Sequence, residues 1–186
     1  MKKLLFILLL LLGAFAVWGI SSYNKLVLAE SDIAESWSRV ESFCRRRTDL
    51  LPDLAATASG YLPEEQSGLI GDLTAARNQA GQFTMPDFSQ ASVDRARGVQ
   101  DRVDEAVDAL VSVLETIPET AEDRHCARLL DQAGRLGIQI LNARADFDRS
   151  TQAFNALTRT FPANLAAKLF HFGEKGRFET AEPASL

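Results

Sequence analysis

The segment CRRRTDLLPDL, from Cys44 to Leu54, places three arginines, two aspartates and a proline inside an apolar helical pattern. Arg47 occupies the core position between Cys44 and Leu51 in the alternating three- and four-residue spacing, and the two arginines before it flank this stripe. A guanidinium on an apolar stripe needs an anionic or hydrogen-bonding partner. The segment therefore predicts a structural polar cluster, with the members Arg46, Arg47, Asp49, Pro52 and Asp53.

Two functions fit this cluster. The one we favour is a structural ion pair between Arg47 and an acid on a neighbouring helix, which sets helix register at little net gain in stability. The other is recognition of an anionic ligand or lipid headgroup by the forked donors of Arg45–Arg47. At ~1.5 Å per residue the cluster lies roughly 39 Å along the helix from Ser21, so a headgroup contact requires the protein to lie flat on a membrane.

Pro52 lacks the amide N–H that would bind the carbonyl of Thr48 in a regular helix. We expect a kink or local unwinding at residues 48–52. Thr48, Asp49 and Asp53 are the nearest side chains able to satisfy the freed backbone groups.

The remaining reactive residue types predict no catalytic, metal or cofactor site. His125 stands beside Cys126, but neither an HExxH motif nor paired Cys/His spacing accompanies them. Adjacent acids such as Glu64 and Glu65 point to different sides of a helix and form no acid–base dyad. No GxSxG motif, phosphate loop or dinucleotide fingerprint occurs. We therefore predict a protein that is not an enzyme.

Cys44 and Cys126 leave two states open. A disulfide suits an extracytoplasmic domain. However, helical rise places the two residues ~34 Å and ~52 Å from the membrane-proximal ends of their helices. Since a disulfide tolerates only about 7 Å between Cα atoms, we favour free thiols.

Composition limits the partners. The chain has 186 residues, a net charge of -5 and an isoelectric point near 5.1. A nucleic-acid binder needs a clustered basic surface, which this sequence lacks. The length supports a single domain.

The spacing of apolar residues predicts helices throughout, because it alternates between three and four residues and no period-two run occurs. The first predicted helix stops at Gly60–Pro63, and the others cover Pro63–Ala80, 96–117 and 129–161, with a loop at 81–90. Four amphipathic helices with short links predict an all-α, antiparallel bundle of about four helices over residues 23–162.

The N-terminus predicts a membrane anchor over residues 1–22. Lys2 and Lys3 precede an uncharged run from Leu4 to Ile20, about 25 Å of helix and just enough to span a bilayer. A cleaved signal peptide is the alternative, but the apolar run continues past Ala16, so we favour a retained transmembrane helix that continues into the bundle. The positive flank places the bulk of the chain outside the cytoplasm.

Residues 163–186 form a predicted aromatic C-terminal tail. In an antiparallel bundle the last helix returns to the level at which the first leaves the membrane. The tail aromatics therefore either contact lipid headgroups or close the open end of the bundle core, and the sequence leaves both alternatives open. The candidate membrane-surface contacts are Trp18, Tyr23, Phe161, Phe170, Phe172 and Phe178.

Motifs along nearly the whole chain resemble the LemA family. They are Tyr23-Asn24-Lys25-Leu26-Val27, Trp37, Arg46–Leu54, Gly60-Tyr61, Ala76-Arg77, Ala143-Arg144, Phe154-Asn155, Phe161–Leu165, Ala167, Phe170, Phe172 and Phe178. The sequence departs from the family pattern at Asp53, Leu136-Gly137 and Phe147-Asp148, where the family usually has Asn, Thr-Glu and Tyr-Asn. The resemblance implies a single-span membrane protein with a helical bundle and links to envelope or membrane-remodelling systems, and it does not imply an enzyme.

These features together predict a membrane-anchored, non-catalytic helical scaffold or adaptor of the bacterial envelope, which self-associates through faces with heptad spacing. The expected partners are the lipid bilayer, further copies of the chain and other membrane proteins. The expected location is the cytoplasmic membrane, with the bulk of the chain on the periplasmic side. The alternative is a lipid- or ligand-binding module that uses Arg45–Arg47 or the aromatic tail.

Overall fold

A computed structural model describes residues 2–178; residue 1 and residues 179–186, the end of the predicted tail, lie outside the described part. The described chain is all-helical, with six α-helices, one 3-10 turn at Glu64–Gln66 and no strand. The helices are α1 Lys2–Ala58, α2 Gly68–Gln82, α3 Gln90–Leu114, α4 Pro118–Glu122, α5 Arg124–Arg159 and α6 Ala163–Leu169. The prediction of an all-α fold is confirmed.

Helix α1 is one element of 57 residues that contains Pro52. Residues 48–52 are helical without interruption, so the local unwinding expected there does not occur. The helix ends at Ala58, whose carbonyl accepts the amide of Leu62 at 3.0 Å, directly before the predicted stop at Gly60–Pro63. Helix α3 ends at Leu114. Pro118 favours an extended conformation for the residue before it, Ile117, so α3 cannot continue into α4.

The long helices α1 and α5 lie antiparallel over most of their length. The Tyr23 and Phe172 rings lie 5.9 Å apart near the start of the bundle, and Trp37 meets Phe147 at 5.7 Å halfway along. At the far end the Tyr61 hydroxyl donates to Asp123, the N-cap residue of α5, at 2.7 Å. Helices α2 and α3 form a second pair on one side of α1.

The apolar interior consists of two clusters stacked along α1. The first lies at the level of Ile33 and Val40 and contains the largest buried rings, Phe147 and Phe154. The second begins at Leu50 and joins α1 to α2, α3 and the first half of α5. Arg47 lies on α1 between the two clusters and is itself 3% exposed.

Residues 163–178 pack against the bundle instead of projecting from it. Three alanines of α6 are buried, and the chain then runs back beside α5, where the Asn155 amide donates to the Lys175 carbonyl at 2.8 Å. The Gly176 amide donates to the Phe88 carbonyl at 2.7 Å. A Cβ atom at position 176 would lie 2.6 Å from the Cα atom of Gln90, so only glycine permits this close approach.

The predicted membrane-surface aromatics divide into two groups. Phe178 is 8% exposed and packs against Trp37 and Phe147 in the core, so it does not lie on a surface. Phe172 is half-buried against Phe154. The exposed group contains Tyr23 and Phe170, whose rings meet at 4.8 Å, and Phe161, which is 74% exposed. Trp18 is half-buried beside Phe15.

No helix in the described part of the chain combines the length and apolarity that crossing a membrane requires, so the predicted transmembrane helix is not supported. Large hydrophobic side chains nevertheless remain exposed at the start of α1. They are Phe6, Ile7, Leu9, Leu10, Phe15, Val17 and Ile20.

We predict that Phe178→Ala lowers the free energy of unfolding by about 3 kcal/mol, because it removes a ring from between two others in the core. The matched control Phe161→Ala removes the same atoms from a solvated site and should change stability by less than about 0.5 kcal/mol. Chemical unfolding followed by circular dichroism measures both. Equal effects of the two substitutions would contradict the placement of the tail.

Candidate functional site

The buried arginine of α1 is bound by side chains from α3. The Arg47 side chain is 4% exposed, forms an ion pair with Asp104 and donates a hydrogen bond to Gln100 Oε1 at 2.9 Å. Asp104 and Gln100 lie four residues apart and therefore on one face of α3. Asp104 is therefore the acid on a neighbouring helix that the sequence predicts as the partner of Arg47.

A second arginine, from α5, approaches the same carboxylate. Arg144 Nη2 lies 3.8 Å from Asp104 Oδ2, and Nη1 lies 3.9 Å from Asp101 Oδ1. Its guanidinium also lies over the Phe178 ring, 5.2 Å from the centroid, which adds a cation–π contact. Asp104 of α3 thus pairs with arginines of both α1 and α5.

The other predicted members of the polar cluster lie apart from Arg47. Arg46 is exposed and lies over the Phe43 ring at 5.7 Å, and Arg45 pairs with Glu41 at 3.1 Å on the surface. Asp49 and Asp53 are exposed and form no ion pair within the described chain. The structure therefore assembles the cluster from α3 and α5 and leaves the acids nearest in sequence outside it.

Helix α1 continues through Pro52 because α2 supplies the missing donor. Arg77 Nε donates to the Thr48 carbonyl at 3.3 Å, the group that Pro52 leaves without its usual amide partner. The Thr48 hydroxyl bonds instead to the Cys44 carbonyl at 2.9 Å. The expectation that Thr48, Asp49 or Asp53 satisfies the freed carbonyl is wrong, because a side chain from another helix reaches it.

The two cysteines are free and buried. Cys44 packs in the first core cluster, whereas Cys126 follows the N-cap of α5 near Tyr61, at the far end of the bundle. The expected difference in height thus separates them. Burial raises the pKa of the Cys44 thiol to about 11, although Arg47 and Arg144 oppose the rise. The thiol is therefore neutral near pH 7 and a poor nucleophile.

A cavity of about 440 Å³ opens beside the cluster, between α1, the end of α2 and the loop before α3. Its apolar wall is formed by Trp37, Cys44, Phe83, Met85 and Phe178. Its polar rim includes Arg45 with its partner Glu41, together with Asp49, Arg77 and Gln100. The charges at this rim balance, so the cavity suits a small neutral molecule with an apolar body and a few polar groups.

Metal chemistry finds no support in the described residues, among which no three His, Cys, Asp or Glu side chains gather as ligands. The residues that sequence reasoning missed are Gln100, Asp104, Arg144 and Arg77. Two of these, Arg144 and Arg77, stand within the motifs that carry the family resemblance, and that resemblance could have identified them. Asp104 follows the core residue Val103, and nothing in the residues around it indicates that it pairs with Arg47.

The family model described as LemA family matches residues 36–185 of the chain. The match includes the Arg47 segment, the whole of α2 to α6 and the aromatic tail. No curated protein sequence matches the chain.

We predict that Asp104→Asn lowers the free energy of unfolding by about 2 kcal/mol, because it leaves Arg47 buried without a counter-charge. This loss of stability is smaller than the roughly 3–5 kcal/mol that breaking a fully buried ion pair costs, because the Asp104 side chain is 40% exposed. Arg47→Met should lower the free energy of unfolding by a smaller amount. It removes the buried charge and leaves only Asp104, which water can reach. Asp101→Asn is the matched control, with an expected change below about 0.5 kcal/mol. Chemical unfolding that gives equal values for positions 101 and 104 would rule out the proposed role of Asp104.

Proposed function

The chain belongs to the LemA family, and we propose that it is a non-catalytic helical scaffold attached to a membrane through the start of α1. The observation that carries this proposal is the continuity of α1. One unbroken helix joins the exposed apolar segment 6–20 to the core of the bundle. A helix that enters the core transmits the position of the membrane segment directly to the bundle.

The distribution of the exposed apolar side chains supports immersion in lipid. Phe6 and Phe15 are nine residues apart and, at about 100° per residue, lie on opposite sides of α1, with Ile7 between them on one flank and Leu9 between them on the other. Phe6, Phe15, Ile7 and Leu9 are 68%, 65%, 56% and 65% exposed, respectively. An interfacial helix needs one apolar face, whereas apolar exposure on all sides suits a hydrocarbon environment.

The base of the bundle also suits a membrane surface. Phe161, Leu165, Leu169 and Phe170 are exposed near the level at which α1 enters the bundle, as the contact of Phe170 with Tyr23 indicates. Lys168 is exposed within the same segment. Aromatic rings and lysines of this kind are typical of the interface between lipid and water.

We further propose a single pass through the bacterial cytoplasmic membrane, with the bundle on the periplasmic side, in line with the positive charge of Lys2 and Lys3. The polar cluster has a structural use, which supports a scaffold over a catalyst. In this proposal the scaffold self-associates through exposed helix faces and recruits other membrane proteins.

Liposome flotation tests the attachment. We expect the full chain to float with the vesicles and to resist extraction by alkaline carbonate, and a chain without residues 1–22 to remain in the soluble fraction. The matched variant Phe161→Ser with Phe170→Ser should still float when residues 1–22 are present. A shortened chain that floats as well as the full chain would contradict attachment through α1.

The periplasmic orientation needs an added thiol, because both native thiols are buried. Ser59→Cys places one at an exposed position directly after the far end of α1. A membrane-impermeant thiol reagent should label it in intact cells, and protection until the cells are opened would reverse the proposed topology.

The 440 Å³ cavity favours a second function, the binding of a small neutral ligand that has an apolar body and a few polar groups. Gly81 lines this cavity, and a Cβ atom there meets nothing within 4 Å, so the first atom of a Gly81→Phe side chain has open space and we expect its ring to occlude the cavity. Gly71→Phe is the matched control on the same helix, away from the cavity and equally unobstructed. With N-phenyl-1-naphthylamine as the probe, we expect saturable fluorescence enhancement that Gly81→Phe abolishes and Gly71→Phe keeps. Equal signals from both variants would show that the probe binds elsewhere.

A further inference from the structure

The outward face of α5 carries an apolar stripe that nothing in the described chain covers. Ile138 and Leu141 are 62% and 63% exposed, and they are the large hydrophobic residues most open to solvent among the described residues 29–160. Gly134 and Ala145 extend the same stripe at spacings of four, three and four residues, and both are exposed. We call these four residues the α5 stripe. The core residues Leu136, Ile140 and Phe147 lie on the opposite side of the helix.

We propose that the α5 stripe is a dimerisation surface, on which α5 of a second copy of this chain packs antiparallel. The inference rests on the self-association in the proposed function and specifies its interface. A two-fold interface requires that residue i contact residue j while j contacts i, so the surface must be complementary to itself.

One register satisfies this requirement for apolar packing. When Ile138 faces Leu141 of the second copy, Gly134 faces Ala145 of the second copy, and each contact occurs twice. Two Ile–Leu pairs, four bulky side chains in all, then meet at the centre, and one Gly–Ala pair meets on each side. A Cβ atom at Gly134 meets nothing within 4 Å, so the approaching helix finds open space there. Small residues at these positions permit the close approach of two helices.

The same register also matches charge. Asp131 and Arg149 are exposed and lie on the same flank of the stripe, Asp131 just before its first residue and Arg149 just after its last. The antiparallel register brings Asp131 close to Arg149 of the second copy at both ends of the interface. A parallel two-fold pairing would instead oppose Asp131 to Asp131 and Arg149 to Arg149. Charge complementarity therefore selects the antiparallel arrangement.

Neither charged residue is held firmly within its own chain. Asp131 pairs with Arg135 at 2.5 Å, and Arg149 pairs with Asp146, each within one turn of α5. The four side chains are between 40% and 76% exposed. Exposed pairs of this type contribute little to stability, so they exchange partners at small cost.

The antiparallel pairing has a consequence for membrane attachment. In each copy α1 runs antiparallel to α5, so the two-fold axis directs the two N-terminal segments out of opposite ends of the dimer. Copies in one flat membrane share one orientation, so an antiparallel dimer cannot form between them. If each segment inserts as the proposed function holds, the dimer instead connects two regions of membrane whose periplasmic faces lie opposite each other.

Disulfide cross-linking of the full chain in detergent tests the register. We expect a cross-linked dimer when chains with Gly134→Cys and Ala145→Cys are mixed, and none from either variant alone, because identical positions are about 16 Å apart along the antiparallel pair. Gly98→Cys, an exposed and unobstructed glycine of α3, is the matched control and should not cross-link. Cross-linking of each variant with itself would overturn the antiparallel register.

A charge swap provides a second readout that does not depend on introduced thiols. Asp131→Arg and Arg149→Asp should each raise the dissociation constant of the dimer roughly tenfold, measured by sedimentation. The double variant should restore the original dissociation constant, because the two charges exchange positions across the interface. Weakening without restoration would overturn the proposed pairing.

The outcomes separate this interface from the proposed function. A chain that is monomeric at every concentration contradicts both the interface and the self-association. A dimer that survives Ile138→Arg and gives no mixed cross-link contradicts the interface alone. Vesicles of phosphatidylethanolamine and phosphatidylglycerol that carry the full chain should cluster, and those that carry Ile138→Arg should not. A mixed cross-link without clustering of the vesicles would support the dimer but contradict the attachment of its two ends to separate bilayers.

Discussion

The ion pair between Arg47 and Asp104 is the constraint on which the relative positions of the long helices depend. A buried guanidinium is costly without a counter-charge, so the height of α3 along α1 is restricted to the one at which Asp104 and Gln100 both reach Arg47. Arg144 shares the same carboxylate and adds α5 to the arrangement. Because Arg47 lies between the two apolar clusters, one polar contact sets the register of both.

The second constraint is the continuity of α1. A proline inside a helix usually frees a carbonyl and bends or interrupts the helix. Here Arg77 from α2 binds the Thr48 carbonyl, so the helix remains whole and α2 is placed against α1 at the same time. The apolar start of α1 and the core of the bundle are therefore joined by one continuous helix, on which the proposed membrane-attached scaffold rests.

The C-terminal segment completes the interior of the half of the bundle nearest the N-terminal segment. Its return beside α5 places Phe178 against Trp37, Phe147 and the Arg144 guanidinium, so the tail supports the same arginine that meets Asp104. The aromatic tail is thus divided between two environments. Its buried rings belong to the core, and its exposed rings lie at the base of the bundle, where the proposed membrane attachment would bring them to lipid.

Local spacing was enough to predict the helices, the buried position of Arg47, the stop near Gly60 and the need for an acidic partner, because side-chain direction along a helix repeats every 3.6 residues. It was not enough to identify Asp104, to show that Arg77 compensates for Pro52, or to separate Phe178 from Phe161. Those outcomes depend on the heights at which distant helices meet, and such heights follow from loop geometry and packing over the whole chain. The sequence therefore settles which residues must be buried and which must be paired, while the partner of each is chosen only when the helices pack together.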